Sequence, residues 1–331
     1  MNRCSMVAIL VLSSVARGGP TQQPKMYYAD ISYGRPFAKD PDVEWFGGRY
    51  LMYYSVNRGK DGFAVGIAES SDLTRWTKVG EVLPAADYER KGLAAPAALV
   101  RGGKLHLFYQ TYGNGRDDAI CHAVSEDGIH FTRNATNPIF PPTGDWNCGR
   151  AIDAEVIEHK GKLLPYCATR DPEMKVQKLV VASAPADSDY GRDKWTQLCD
   201  KSILEPQLPW EKDCIEAPAL CTRNGRLFMF YAGAYNNEPQ QIGCAVSDDG
   251  IAWTRLSQHP LLPNGEDGEW NASESGHPGI FTDRDGQMHL FFQGNNDKGA
   301  TWFLSRMKIA WDTGDRPYLI RPRDGQFFQL K

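Results

Sequence analysis

The sequence predicts an all-β chain folded as a five-bladed β-propeller, with four antiparallel strands in each blade. Three observations predict it. A unit of roughly 60 residues is written five times, the size of one four-stranded blade with its loops. Its apolar and aromatic residues come in short alternating runs set off by Gly, Asn and Asp, the pattern of strands joined by hairpins. No long stretch repeats its apolar residues at helical spacing.

The chain begins with a basic residue, Arg3, and a short apolar run at 6–15, followed by small residues at Ser14-Val15-Ala16. This predicts a signal peptide at 1–16, too short to span a bilayer, and a secreted or periplasmic protein. Residues 17–331 are then one propeller domain. Seven cysteines remain after Cys4 leaves with the signal; export permits disulfides, but their pairing is not legible. None forms a close Cys-x-x-Cys pair, so zinc is not expected.

Within each unit a glycine turn comes first. Gly47-Gly48, Gly102-Gly103, Gly161, Gly225 and Asp285-Gly286 each lead into an alternating strand such as Arg226-Leu227-Phe228-Met229-Phe230-Tyr231. A second turn follows, seen as Ser70-Ser71-Asp72, Ser125-Glu126-Asp127-Gly128 and Ser247-Asp248-Asp249-Gly250. Asp and Gly suit a turn with one residue at positive φ, so these acids are structural. The ring after each turn (Trp76, Phe131, Trp195, Trp253) is expected to pack between blades. The unit exits through an apolar-proline phrase such as Val82-Leu83-Pro84. One such sheet cannot bury both faces, whereas five around an axis can, leaving only short edges. Ring closure pairs the residues before Phe37 with the last blade.

The chemistry is expected where each blade begins, because the first strand of a blade lines the axis. The five openings are Lys39-Asp40-Pro41-Asp42, Ala94-Ala95-Pro96-Ala97, Ala151-Ile152-Asp153-Ala154, Cys214-Ile215-Glu216-Ala217-Pro218 and Ser275-Gly276-His277-Pro278. Three bring a carboxylate and one a histidine to one mouth of the channel. Hydrolysis of a glycosidic bond needs two carboxyl groups flanking that bond, one donating a proton and one activating water or attacking the sugar. A third acid can raise the pKa of the donor by like-charge repulsion. Net charge is −4 with no Lys/Arg block, so neither nucleic acid nor a membrane surface is an expected partner of the mature form. A propeller of phosphorylase or sialidase type would need a basic cluster at the channel mouth, which the sequence alone does not show.

The ordered set Asp40-Pro41, Ala95-Pro96, Ile152-Asp153, Glu216-Ala217-Pro218 and Gly276-His277 resembles glycoside hydrolase family 43, the five-bladed arabinosidases and xylosidases, from about residue 37 to 310. The resemblance implies Asp40 as the general base, Glu216 as the general acid and Asp153 as the group that tunes and orients Glu216. Asp42 is the second candidate base. His277 would contact substrate or sit near the axis, where some relatives hold calcium or a water network; no cofactor is otherwise required. The implied activity is inverting removal of a pentose or furanose sugar, of α-L-arabinofuranoside or β-xyloside type, from a plant or algal oligosaccharide or polysaccharide. The pattern departs at Ala94, Ala97, Ala98 and Ala154, so the substrate preference of the family does not carry over. Arg170-Asp171-Pro172 is similar to a triplet of the retaining fructosidases but follows the second strand of its blade, so a loop over the active face is expected there. Arg150 and Arg170 are candidate substrate contacts, and Trp45, Trp146, Trp210, Trp270 and Trp302 candidate stacking rings. The rival outside enzymology is a carbohydrate-binding propeller without catalysis.

Overall fold

The computed structural model describes residues 26–320; the expected signal peptide at 1–16 lies outside them. Met26–Tyr28 (β1) belongs to the last blade. The first blade is Lys39–Phe46 (β2), Arg49–Asn57 (β3), Phe63–Ser70 (β4) and Thr77–Val82 (β5). The second is Leu93–Arg101 (β6), Lys104–Thr111 (β7), Ile120–Ser125 (β8) and Thr132–Arg133 (β9). The third is Ile152–His159 (β10), Lys162–Arg170 (β11), Gln177–Pro185 (β12) and Thr196–Gln197 (β13). The fourth is Ile215–Arg223 (β14), Arg226–Gly233 (β15), Gln241–Ser247 (β16) and Thr254–Arg255 (β17). The fifth is Glu274–Thr282 (β18), Met288–Asn295 (β19) and Phe303–Trp311 (β20), whose free edge is shared by β1 and Pro317–Ile320 (β21). The two ends of the described chain thus close the ring on one strand, β1 against Leu304 and Ser305 and β21 against 308–311.

Each blade is a meander of antiparallel neighbours, and the inner strands touch in a closed series: β2 to β6, β6 to β10, β10 to β14, β14 to β18 and β18 back to β2. Alternation along a strand sends successive side chains to opposite faces. On β3, Met52, Tyr54 and Val56 join Phe281, Phe291 and Leu304 of the fifth blade, while Leu51 and Tyr53 join Leu105, Leu107 and Tyr109 of the second. Five such cores, one per blade interface, make up the interior.

The rings after the Asp turns pack as expected, each against a ring on the second strand of the preceding blade. The pairs are Trp76 on Phe291, Phe131 on Tyr53, Trp195 on Phe108 and Trp253 on Tyr166, all edge-on. The fifth blade substitutes Trp311, which meets Phe228. The turn aspartates are spent on backbone: Asp127 Oδ1 accepts the amides of Ile129 and His130 at 2.8 Å.

A second repeated device ties the loop before a blade to its outer strand. Buried Glu211 accepts Tyr231 Oη at 2.8 Å and Arg255 Nε at 2.7 Å, and caps the amides of Gln207 and Leu208. Glu89 with Tyr109 and Arg133, and Asp30 with Tyr54 and Lys78, repeat the arrangement in the second and first blades.

Candidate active site

The first strand of every blade is interrupted at the same place. Pairing with the second strand shifts between Lys39 and Asp42, Ala94 and Ala97, Ile152 and Glu155, Glu216 and Ala219, and Gly276 and Gly279. The second residue of each bulge is left-handed: Asp40 (φ 54°), Ala95 (44°), Asp153 (51°), Ala217 (47°) and His277 (43°). Such backbone is costly for non-glycine residues and clusters at functional sites. Proline follows in four of the five, and proline, lacking an N–H, is tolerated in a sheet at bulges. The bulge amide is satisfied across the blade interface: Asp40 N–H donates to Gln293 Oε1 at 2.9 Å, Ala95 to Ser55 Oγ at 2.8 Å and Asp153 to Gln110 Oε1 at 2.5 Å.

These five bulges surround the channel mouth. Asp40, Asp153, Glu216, His277, Arg150 and Arg170 all line one pocket of about 280 Å³, together with Lys39, Phe63, Gln110, Tyr112, Tyr235 and Asn236. Glu216 stands one residue earlier in its bulge than Asp40 and Asp153 do in theirs; its equivalent in the first blade is Lys39. Asp42 lies further along the channel, beside Pro41, Pro96 and Glu155. Its oxygens accept the amides of Val43 and Ala98. Of the five tryptophans none is among the lining residues; Trp210 and Trp270 lie over Gly233 and Gly294, and the pocket's rings are Phe63, Tyr112 and Tyr235. Asp171 is likewise outside the pocket, holding the amides of Lys175 and Val176 to shape the loop that follows Arg170.

His277 is the hub. Its Nδ1 is 2.8 Å from Asp40 Oδ1 and its Nε2 is 3.1 Å from Glu216 Oε1. An imidazole with a carboxylate on each nitrogen sets those two oxygens no more than about 8 Å apart. Burial alone would disfavour the cation, but Asp40 and Glu216 override it and hold His277 protonated well above its ordinary range. The same charges act in reverse on the acids. Burial pushes Asp40 up, yet Lys39 and His277 bring it far below the usual carboxylate range. Burial pushes Glu216 up, yet His277, Lys39 and Gln240 bring it down. Glu216 accepts from Gln240 Nε2 at 2.6 Å and from Gln177 Nε2.

Asp153 behaves oppositely. Burial, opposed by His277 but reinforced by Glu216 and Asp40, raises it to about 7. Its Oδ2 is buried with no hydrogen-bond donor. The sequence places the raised pKa on Glu216; the structure places it on Asp153, because the three donors around Glu216 stabilise its charge. Asp40 Oδ1, despite its nearness to His277, has no aligned hydrogen bond, which suits an oxygen that must take a proton.

One atom each of Asp153, Glu216 and His277 falls within 4.8 Å of the others, the spacing of a metal site. Calcium takes six to eight oxygens, of which Asp153 and Glu216 would supply a part and water the rest.

The glutamines and Lys39 were not anticipated from sequence. Ser55, Gln110 and Gln293 occupy one hairpin register, each opposite the first bulge residue, so counting back from the glycine turns locates them. Gln177 and Gln240 come from third-strand starts, where no repeat signal marks them. Asn236 accepts Lys39 Nζ at 2.7 Å, and buried Glu274 accepts from both Asn236 and Gln293.

Residues 33–313 match the family model described as glycosyl hydrolases family 43. The chain is similar to the crystal structure of a thermostable family-43 glycoside hydrolase, at 19% identity and a TM-score of 0.71 over 90% of this chain and 98% of that one. It is similar to an endo-1,4-β-xylanase from Bacteroides thetaiotaomicron (20% identity, TM-score 0.69, 91% and 97% covered). An α-L-arabinofuranosidase from Lactobacillus brevis is similar at 17% identity, TM-score 0.66, with 89% and 97% covered. At these identities the structures share the fold, and a fold alone does not assign a substrate.

Proposed function

The chain belongs to glycosyl hydrolases family 43 and is a glycosidase that hydrolyses O-glycosyl bonds, and from that premise we propose that it removes a terminal pentose or furanose sugar with inversion. An α-L-arabinofuranoside or β-xyloside of a plant or algal oligosaccharide or polysaccharide is the substrate we favour. The names of the similar xylanase and arabinofuranosidase support the sugar class. Export, suggested by residues 6–15, belongs to the same reading, since a polymer is met outside the cell.

The observation that carries the mechanism is the Asp40–His277–Glu216 bridge. Inverting enzymes hold their two carboxyl groups roughly 6.5–9.5 Å apart, leaving room for water, and retaining ones about 5–5.5 Å. The imidazole between Asp40 and Glu216 caps their two oxygens at about 8 Å, a range that includes the inverting spacing. Asp40, ionised and with its Oδ1 free of an aligned donor, takes the proton from water as it attacks the anomeric carbon. Glu216 delivers a proton to the leaving oxygen. It is charged in the free protein, so it must first receive that proton, and Asp153 holds one within 4.8 Å of it. Asp153 is then the proton's resting place as well as a neighbour that orients Glu216.

Asp40→Asn and Glu216→Gln test the assignment on nitrophenyl pentosides and on oligosaccharides. Each is expected to lose about 10²–10⁴ in kcat/KM. The loss in Glu216→Gln should be smaller on nitrophenyl substrates, whose leaving group needs less protonation. Turnover like the wild type in either variant contradicts the roles.

A further inference from the structure

Arg170 is the cation of this pocket that no carboxylate of the described residues pairs with, and we infer that the substrate bears a carboxylate on the sugar that follows the scissile bond, so that the chain releases its terminal sugar from an acidic glycan. The inference rests on the glycosidase reading of this pocket.

Two arginines of the pocket come from the third blade. Arg150 lies two residues before β10 and Arg170 ends β11. Ile152 pairs with Ala168 and the Cys148 amide donates to the Arg170 carbonyl at 2.9 Å, so the two arginines come from adjacent, antiparallel segments. Asp118 pairs with one of them, 3.2 Å from Arg150 Nη2, where the Arg150 side chain is 12% exposed. Arg170 has only neutral acceptors: Nε donates to Gln177 Oε1 at 2.8 Å and Nη1 to the Met174 carbonyl at 3.4 Å, with its guanidinium over the Tyr235 ring. No carboxylate of the described residues pairs with it. Across the pocket Lys39, hydrogen-bonded to Asn236 and lying over the face of Trp302, is already balanced by Asp40, Glu274 and Glu216. The acids opposite are already engaged, Asp40 and Glu216 with His277.

A neutral pentose offers hydroxyls, which do not require a guanidinium. A carboxylate matches its planar fork with two charge-assisted bonds. Gln177 fixes where that carboxylate sits. Its Oε1 receives Arg170 and its Nε2 donates to Glu216, so the free face of Arg170 is one side chain away from the group that protonates the leaving oxygen. Inorganic phosphate could occupy the same fork as the attacking group. However, phosphate is already charged and needs no base, and Asp40 would repel it.

The test uses the full chain and two forms of one oligosaccharide, with the terminal pentose linked to a uronic acid and with that carboxyl group reduced to an alcohol. The acidic form is expected to show at least tenfold higher kcat/KM, mostly through KM, with the advantage shrinking toward about 1 M salt. Arg170→Gln should bring the ratio between the two forms near one, and Arg170→Lys should keep part of it. If the variants do not fold, inhibition of the wild type by a free uronic acid against its neutral parent sugar decides the same point; stronger inhibition by the acid is expected. Equal turnover of the two forms, or equal inhibition, overturns the inference and leaves the glycosidase reading intact. Absence of hydrolysis on both forms and on every nitrophenyl pentoside overturns that reading instead. Cleavage that depends on added phosphate and releases a sugar phosphate overturns the inference, because the cations would then serve phosphate.

Discussion

Replacing His277 with glutamine removes the charge that touches two catalytic carboxylates at once. The magnitude follows from the contacts at 2.8 and 3.1 Å. At an effective dielectric near 20, each is worth about 5–6 kcal/mol of attraction, or roughly 4 pH units as an upper bound. Water entering the space of the ring and one carboxylate taking up a proton both reduce this. A rise of at least about 1 unit in the pKa of Asp40 survives those corrections. The sign is fixed: losing a cation raises the pKa of every acid it faced, Asp40, Glu216 and Asp153 alike. The assay is kcat/KM against pH for wild type and His277→Gln. The acid limb, set by ionisation of Asp40, and the basic limb, set by loss of the proton that Asp153 holds up to about 7, should both move to higher pH. A profile whose limbs stay where the wild type has them would refute the charged bridge, whatever the drop in rate.

Further perturbations have equally definite outcomes. Burial raises Asp42, Asp153 and Glu274 to about 7 and Glu44 to about 8. Folding therefore binds protons between about pH 4 and 8, and stability must fall as pH rises through that window, with His277 acting in the same direction. Asp40 and Glu211, which folding pushes down, oppose this at lower pH. His106, His122 and His289, which burial also pushes down, oppose it below about 6.5, so the four acids and His277 outweigh them most clearly above that pH. A melting temperature at least about 5 °C higher at pH 5 than at pH 8 is expected by calorimetry; a higher value at pH 8 contradicts it. Glu211→Gln leaves Arg255 largely buried without its partner and should cost about 3–5 kcal/mol in denaturant unfolding; a loss below about 1 kcal/mol would show the triad to be inert. At Gly276 a Cβ would fall 1.8 Å from Gln240 Oε1, so Gly276→Ala must displace the amide that holds Glu216. Its kcat should fall by about tenfold or more with the fold retained, and unchanged kcat would mean that Gln240 does not position the acid.

The fold was legible because each blade repeats the same local chemistry. Glycine turns, Asp turns and the ring after them specify hairpins and blade contacts without reference to the rest of the chain. Asp40, Asp153 and His277 were legible because the bulge that aims them inward leaves a trace, an acid or histidine before proline or alanine at a blade opening. Glu216 follows the same trace one residue early. What sequence concealed is set by neighbours across interfaces. Gln177 and Gln240 reach Glu216 from third-strand starts that carry no repeat signal, and the ionisation order of Glu216 and Asp153 depends on those donors rather than on either acid. The stacking tryptophans failed for a related reason: Trp210 and Trp270 fill the space over Gly233 and Gly294, and the glycines that admit them are read only in register.

The account's central claim is that Asp40 and Glu216 act across a gap as base and acid, with no bond from enzyme to sugar. Proton NMR of the anomeric signal in the first minutes of hydrolysis tests it most directly. The initial product should have the configuration opposite to the substrate, relaxing later by mutarotation. An initial product of the same configuration would contradict it.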